Sequence, residues 1–450
     1  MRFLLLIMLW TGLLGELCAQ VEKSIYFLNN LPQNSYLNPA KRSDYNFTVS
    51  VPVLGFRGGY AGDVALSNFI QEKEGGGYLI SFPYIYNEMD EKVSFRTNMQ
   101  MELLGLYLTK DKFSINFFVR EHLNNQFTLP RDIFAIMAQE EAYDKIKEGL
   151  HVTPGIQMSH FREFGLGGSY SVTEKLNVGA NIRIMQGLGS ITTEALDIIA
   201  HIDNLDEIEV EYEGYVQTAG FGLIAGEDDL FDISDENLPE YLTSTSNLSL
   251  IMDFGATYQF SDKLQFEASL LNLGALKWKN DLTNYRLYQP EGNSDITQAE
   301  FEETEEGITP FETSLPFRMN LGASYELWQN TTVGGLVGFN TFQGGTKMFL
   351  MGSIDKQFGE WLGLGFTYIA DESGGINFGG SVSVGFPGVK LFVVTDHLFQ
   401  SFTNFTTYEG VKDVRGLDAR FGVNLSFGKR NKKNNKSLVE SASYHVNPSK

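Results

Sequence analysis

Cysteine is almost absent from this 450-residue sequence, and its one thiol, Cys18, lies near the start of the chain. Residues 1–19 are a predicted signal peptide, because Arg2 supplies a positive start and Phe3 to Leu14 is almost wholly apolar. Cleavage after Ala19 would leave no cysteine, which excludes disulfides, thiolate zinc sites and cysteine nucleophiles together. Lipidation of Cys18 is the alternative, although the leucine before it is bulky where a small residue is normally needed.

Long apolar runs are missing after the signal peptide, where no stretch approaches ~18 consecutive apolar residues, so no spanning helix is expected. Basic residues are missing from two acidic inserts: residues 201–242 hold 13 acidic groups and residues 291–312 hold 8, with no Lys or Arg. Without these 21 charges the formal net charge of −22 becomes −1, so the scaffold itself is nearly neutral. The C-terminus is basic, with Lys429, Arg430, Lys432, Lys433 and Lys436 close together.

Catalytic and metal motifs are also missing. No pair of the six histidines has metal-site spacing, and no G-x-S-x-G elbow, Walker loop or H-E-x-x-H occurs. His160 is best explained as a polar residue facing a lumen, although a triad assembled across strands stays open. The acidic run GEDDLFDISDEN (residues 226–237) lacks the ligand spacing of a calcium loop, which favours a solvated loop. We expect no enzyme, no cofactor, no metal site and no nucleic-acid partner.

What the sequence does contain is a clean alternation of apolar and polar residues. In LNVGANIRI (residues 176–184) the Leu, Val, Ala and Ile side chains fall on one face of a strand, opposite Asn, Gly and Arg. KLQFEASL (263–270) and MDFGATYQF (252–260) alternate in the same way. Strands of about ten residues cross an outer membrane at a tilt. Aromatic residues lie near the strand ends, as an interfacial girdle requires: Tyr258, Phe260, Tyr325, Tyr368 and Phe427.

Connection lengths favour a transmembrane antiparallel β-barrel over the alternative, a secreted β-sandwich. SVTEKL (171–176), FSDKL (260–264) and TKDK (109–112) join strands tightly, whereas other connections run to tens of residues. The sequence predicts an all-β barrel of about 14 strands, with 12 to 16 defensible. One helical pattern, at residues 129–150, is expected to be a short loop helix.

The predicted organisation is a signal peptide (1–19), an irregular N-terminal segment (20–43), an outer-membrane barrel (44–428) and a basic tail (429–450). The irregular segment is rich in Asn and Pro, which suit neither a helix nor a central strand. Non-regular backbone at membrane depth is tolerated only inside protein or a water-filled cavity. We therefore expect a plug, against the alternative of a disordered periplasmic lead-in, and its candidate residues are Leu31, Pro32, Asn34, Leu37, Asn38, Pro39 and Ala40.

Several stretches resemble a Bacteroidetes family of uncharacterised outer-membrane β-barrel proteins, distantly like the FadL hydrophobic-compound transporters and the secretion-system protein PorV. They are LPQNSYLNPA (31–40), the span Phe161–Gly187, LLNLGALKWKN (270–280), VTDHLF (394–399) and GVNLSFG (422–428). The resemblance implies a barrel integral to the outer membrane, with lipid as a partner. It carries over no functional residues, and ligand-binding residues stay unknown.

Two function classes follow from the resemblance. The likeness to FadL implies a conduit or binder for a small hydrophobic ligand. The likeness to PorV implies a non-enzymatic anchor for partner proteins of an envelope secretion or assembly complex. An apolar pocket and a lateral opening would favour the first class, and a filled lumen with large apolar external loops would favour the second.

Overall fold

The structure is a computed structural model that describes residues 23–61, 70–72, 78–89, 92–138, 143–193, 196–202, 208–220, 238–288, 300–342, 345–371, 376–398 and 416–430. The predicted signal peptide, residues 431–450 of the predicted tail and the acidic run 226–237 lie outside the described residues. Among the helices that are described, none is long and apolar enough to cross a membrane.

Fourteen antiparallel strands form one closed sheet, which confirms the predicted transmembrane β-barrel and its strand number. Each wall strand pairs with the next along the chain, and β1 also pairs with β14, which closes the barrel. The wall strands are β1 Tyr45–Ala61, β2 Lys92–Lys110, β3 Phe113–Pro130, β4 Gly155–Ser171, β5 Leu176–Thr192, β6 Asn247–Gln259, β7 Leu264–Leu273, β8 Phe317–Trp328, β9 Thr331–Phe342, β10 Gly345–Phe358, β11 Leu362–Asp371, β12 Ile376–Phe386, β13 Val389–Thr395 and β14 Gly416–Lys429.

The predicted alternation separates a lipid face from a lumen face. On β5, Ile182 is 53% exposed and Ile184 is 46% exposed, whereas Asn181 between Ala180 and Ile182 is 1% exposed. Successive side chains of a strand point to opposite faces, so the exposed aliphatic residues face lipid and the buried polar ones fill the interior. The barrel therefore carries its apolar belt outside and its polar residues inside.

One end of the barrel is formed by short turns. Asp111 (φ 48°) and Asn330 (φ 58°) occupy left-handed positions in two of them, a conformation that Asp and Asn tolerate better than most residues. Exposed aromatic side chains surround this end as the predicted girdle: Phe113, Tyr170, Tyr258, Phe260, Tyr325, Trp328, Phe358, Trp361, Phe386 and Phe427. Tyr368, also predicted for a girdle, is exposed nearer the other end of β11.

The other end carries the long connections. Helices α1 (Phe82–Glu88), α2 (Arg131–Ala138) and α3 (Tyr143–Lys147) pack there around one apolar cluster, and the predicted loop helix is described as α2 and α3. A fourth helix, α4, spans Leu238–Thr243. Short strands complete this end: Ile70–Glu72, Tyr78–Ile80, Leu150–Val152, Leu196–Ile202, Ile208–Gly214, Val216–Ala219, Leu276–Trp278, Leu282–Tyr288, Glu300–Thr304 and Phe311–Thr313.

Candidate functional site

The N-terminal segment, residues 23–41, lies inside the barrel as two short 3-10 helices, Lys23–Ile25 and Pro32–Tyr36, joined by turns. Pro32 opens the second helix, where a missing N–H costs nothing. All seven residues singled out from the sequence are buried here: Leu31, Pro32, Asn34, Leu37, Asn38, Pro39 and Ala40.

Asparagine and serine side chains satisfy the turns of this segment. Asn34 Nδ2 donates to the Leu28 carbonyl oxygen at 3.1 Å, and Asn38 Oδ1 accepts the Ala40 N–H at 3.0 Å. Such local side-chain bonds replace the ladder that irregular backbone lacks. These side-chain bonds supplement the backbone bonds of the two 3-10 helices and the turns between them.

Polar contacts join the segment to opposite parts of the barrel wall. Gln33 Nε2 donates to Ser50 Oγ on β1 at 2.7 Å, and Asn30 Nδ2 donates to Ser383 Oγ on β12 at 2.9 Å. Across the lumen, Ser269 Oγ on β7 donates to the Leu37 carbonyl oxygen at 2.7 Å. These contacts cross the lumen, so the segment occupies its width.

Glycines in the wall make room for the segment. A Cβ at Gly179 or Gly255 would overlap the chain at Pro39 and Ala40, and one at Gly334 would lie 2.6 Å from Phe27 Cδ2. The glycine of GGINFGGS at position 379 similarly admits Ser24, whereas Gly165 of GLGGS admits the ring of Phe118 from the neighbouring strand. These positions fit the segment closely because they lack side chains.

One ion pair anchors the end of the segment nearest the short turns. Lys41 Nζ lies 2.7 Å from Glu267 Oε2, and both side chains are at most 3% exposed. At the other end, the Asp396 carboxylate accepts the backbone N–H groups of Lys23 and Ser24 at 2.8 and 2.9 Å. Charged groups therefore fix both ends of the described segment.

A layer of buried charges crosses the lumen on the loop side of the segment. The Glu163 carboxylate, 0% exposed, pairs with Arg120 and Arg183 and lies 2.7 Å from His122 Nε2. Arg183 Nη2 also donates to Asp253 Oδ1 at 2.7 Å. Buried charges are tolerated when they are paired and hydrogen-bonded, and here each has a partner.

Tyr36 connects the segment to this layer. Its hydroxyl donates to Glu102 Oε2 at 2.6 Å and also contacts the hydroxyl of Tyr107. The Arg120 guanidinium lies 4.0 Å from the centre of the Tyr36 ring, within range of a cation–π interaction. Displacement of the segment would therefore break contacts within the charged layer.

A cavity of about 340 Å³ lies in the lumen toward the loop end. Strands β2 to β5 supply one side of it with amides and hydroxyls, among them Asn98, Asn124, Gln157, Ser159 and Thr192. Residues 311–316 supply the facing side. Its size is within the usual range for a ligand site, about 300–1,000 Å³. The sequence reasoning did not single out these residues, because each is an ordinary lumen-facing position on its own strand.

Strand β13 is short: it ends beside Asp396, after seven residues. Within the described residues, Ile376 to Gly379 of β12 pair only with β11, and Gly416 to Ala419 of β14 pair only with β1. His397 and Asp418 contact each other at this point, and both are buried. The described wall is thus one strand short near the loop end.

His160 does not face the lumen, and that expectation is wrong. It lies on the strand face of Phe164 and Leu166, where its ring contacts Glu121 Oε1 at 2.7 Å and the Tyr241 hydroxyl at 2.8 Å. Helix α4 folds back over the outer wall and supplies Tyr241, a contact between distant parts of the chain. Burial and the Glu121 carboxylate raise the pKa of Tyr241, so its hydroxyl stays protonated at neutral pH.

Fold and lumen together define a transmembrane β-barrel that holds its own N-terminal chain. The family of unknown function DUF5723 matches residues 39–396, and the chain belongs to this family. No curated protein matches the sequence.

Solved structures similar to this chain include a FadL homologue, a transporter and a channel. A Pseudomonas aeruginosa FadL homologue is 10% identical with a TM-score of 0.43, covering 93% of this chain and 98% of its own. The P. putida toluene transporter TodX is 10% identical with a TM-score of 0.40, covering 87% and 93%. The monoaromatic hydrocarbon channel CymD is 9% identical with a TM-score of 0.40, covering 89% and 94%. Similarity of this degree says nothing about a ligand.

Proposed function

We propose that this protein is an integral outer-membrane conduit or binding protein for small molecules, and that residues 31–40 plug its lumen. The observation that carries the proposal is the burial of residues 23–28 and 31–41 across the lumen, below a cavity at the loop end. A segment held by polar contacts to opposite walls blocks free diffusion. The cavity on its loop side leaves space for a small molecule.

The exterior of the barrel supports the membrane location. Aliphatic side chains form a belt, and aromatic side chains surround the short-turn end, as lipid and its interface require. Barrels of this kind place short turns in the periplasm, so the inserts 201–242 and 291–312 would lie outside the cell and the tail inside the periplasm. Cysteines introduced at Asp232 and Glu303 should label with an impermeant reagent on whole cells, whereas one at Ser437 should not.

Small apolar molecules are the cargo that the sequence resemblance suggests. Backbone groups of β12 and β14 beyond the end of β13 lack a ladder partner among the described residues. The exposed Ile376 beside it keeps this part of the outer surface apolar.

A second candidate function, an anchor for an envelope secretion or assembly complex, is favoured by the filled short-turn half of the lumen. Lys41, Glu267 and Tyr36 are buried there in a network that gives no sign of an open pore. In that case partner proteins would bind the barrel from outside, and the segment would only fill space.

Deletion of residues 24–42 behind an intact cleavage site tests the plug. The barrel should stay heat-modifiable on gels and resistant to carbonate extraction, while cells become more sensitive to large antibiotics. Gly255→Leu is a second variant, because its side chain would displace Asn38 and Pro39. Gly352→Leu is the matched control, since nothing lies within 4 Å of its Cβ position. Unchanged permeability in both test variants would contradict the plug and favour the anchor.

A further inference from the structure

The loop-end cavity has a chemical character of its own. Its wall side carries neutral groups that both donate and accept hydrogen bonds, and the amides of Asn98, Asn124 and Gln217 are among them. Ser159 and Thr192 add hydroxyls on the neighbouring strands. Four adjacent strands and one loop strand thus present an array of mostly neutral polar groups, together with Arg96 and the apolar Met158 and Ile191.

Part of this array has no partner within the protein. Asn98 Nδ2 and Thr192 Oγ1 are inaccessible to solvent, yet neither makes a hydrogen bond within the described part of the chain. The Thr192 residue as a whole is 7% exposed. Buried polar atoms are nearly always satisfied, and a turn of these two side chains toward the cavity would let a polar occupant satisfy them.

The facing side of the cavity includes an apolar surface that is firmly held. Phe311, Leu315 and Pro316 supply this surface, beside the polar residues 312–314. The Phe311 ring stacks on Trp278 with centroids 6.2 Å apart, and Trp278 Nε1 donates to Thr313 Oγ1 at 2.9 Å. A supported aromatic face opposite an amide array suits a molecule with one hydroxyl-rich edge and one C–H face.

Both charged side chains of the cavity lining have partners within the protein. Arg96 donates to the side-chain oxygen of Gln126, and Glu312 lies 3.1 Å from Lys277 Nζ. The other hydrogen-bonding groups of the lining are neutral amides and hydroxyls. Such a lining suits a neutral hydroxylated occupant.

We propose that this cavity is a binding site for a neutral polyhydroxylated ring, that is, a saccharide. Its hydroxyls meet the amides of Asn98 and Asn124, and its C–H face rests on Phe311. A hydrocarbon in the same place would leave Asn98 Nδ2 and Thr192 Oγ1 unsatisfied, which is costly for buried groups. This binding site does not depend on whether the barrel conducts small molecules.

Binding is measured on the full-length mature protein in an amine-oxide detergent, because maltoside and glucoside detergents carry the proposed ligand chemistry. The probes are maltotriose, cellotriose, chitotriose and the delipidated polysaccharide of lipopolysaccharide, with toluene as the apolar probe. Isothermal titration calorimetry gives affinity, and saturation-transfer NMR shows which ligand protons face the protein. Binding of a trisaccharide would identify the ligand as a free sugar. Binding of the polysaccharide without binding of any trisaccharide would identify the ligand as a sugar of the envelope.

Variants locate the site. Asn98→Leu and Asn124→Leu should each weaken binding about three- to ten-fold, the loss expected for one uncharged hydrogen bond. Phe311→Ala should weaken binding and reduce saturation of the sugar C–H protons. Asn46→Leu is the matched control, because Asn46 is exposed at the short-turn end. Heat-modifiability on gels confirms that each variant is folded.

Failure of every saccharide to bind the folded protein would overturn the proposal, as would binding that all three cavity variants leave unchanged. Toluene binding that is lost in Phe311→Ala, without saccharide binding, would assign the cavity to apolar cargo instead. These results are independent of the permeability assay of the N-terminal deletion, so the two proposals fail separately.

Discussion

The two halves of the lumen differ in how their polar side chains are arranged. In the short-turn half, charged and polar side chains are paired with one another and with the N-terminal segment, as Lys41 with Glu267 shows. In the loop half, amides and hydroxyls surround a cavity of about 340 Å³. A lumen filled by side chains and backbone resists intrusion, whereas polar groups that line an open space can bind a ligand. The comparison separates the proposed barrier from the proposed binding site within one barrel.

The largest effect is expected at the charged layer between the halves. Glu163→Ala leaves Arg120 and Arg183 without their shared partner, and breaking a buried ion pair costs about 3–5 kcal/mol. Urea unfolding of the barrel in liposomes should show this loss. Glu174→Ala, at an exposed position in a short turn, is the control and should change little. A Glu163 variant as stable as the control would mean that the layer is hydrated and not a sealed barrier.

Lys41 gives the next largest effect, in the short-turn half. Lys41→Met leaves the Glu267 carboxylate buried alone, which should loosen the segment by several kcal/mol. Tryptic cleavage after Arg42 should then accelerate in the folded barrel. The double variant Lys41→Met/Glu267→Leu removes both charges and should restore protection. Equal cleavage of the single and double variants would show that this ion pair does not hold the segment.

Tyr36→Phe tests the link between segment and charged layer. It removes the hydroxyl that donates to the Glu102 carboxylate but keeps the ring beneath Arg120. A hydrogen bond to a charged group contributes about 1.5–3 kcal/mol, so the unfolding free energy should fall by about that amount. Tyr36→Leu removes the ring as well and should cost more. A Phe variant equal in stability to the parent would show that Glu102 is satisfied by other groups.

The smallest effect is expected at the loop end, for the ion pair of Lys277 and Glu312. Both side chains are about half exposed, so the pair is screened by solvent and contributes about 0–1 kcal/mol. Lys277→Ala should therefore leave unfolding nearly unchanged. It should also leave saccharide affinity within a factor of two or so if the cavity selects neutral ligands. A large change in affinity would show that charge at Glu312 matters to the site.

The barrel could be predicted because the alternation of apolar and polar residues that indicates each strand lies within a few neighbouring residues. The alternation in β5 is decided within nine residues, and the structure keeps every face that LNVGANIRI predicts. The contacts at the end of β13 could not be predicted, because they join residues that are distant in the sequence. Asp396 and His397, which follow β13, contact Asp418 on β14.

The candidate site was partly within reach of the sequence. Asparagines and prolines in residues 31–40 indicate irregular backbone, but they do not predict that the N-terminal segment contacts Glu267 or Ser383. These two partners are separated from the segment by hundreds of residues, and its role as a plug stays a prediction. The cavity was not predicted, because Asn98 and Phe311 line one site only when the closed sheet and an inward loop bring them together.

The hydrogen bonds that the backbone of Lys23 and Ser24 donates to Asp396 have a consequence for the order of assembly. The first residues of the described chain dock against a residue 373 positions away, beyond thirteen of the fourteen wall strands. Contacts of such separation form late, because the intervening chain must be ordered first. We therefore expect the N-terminal segment to be the last part of the described chain to reach its place. Until the barrel closes, the segment should stay accessible, and chaperones or proteases could recognise the unfinished molecule during this interval.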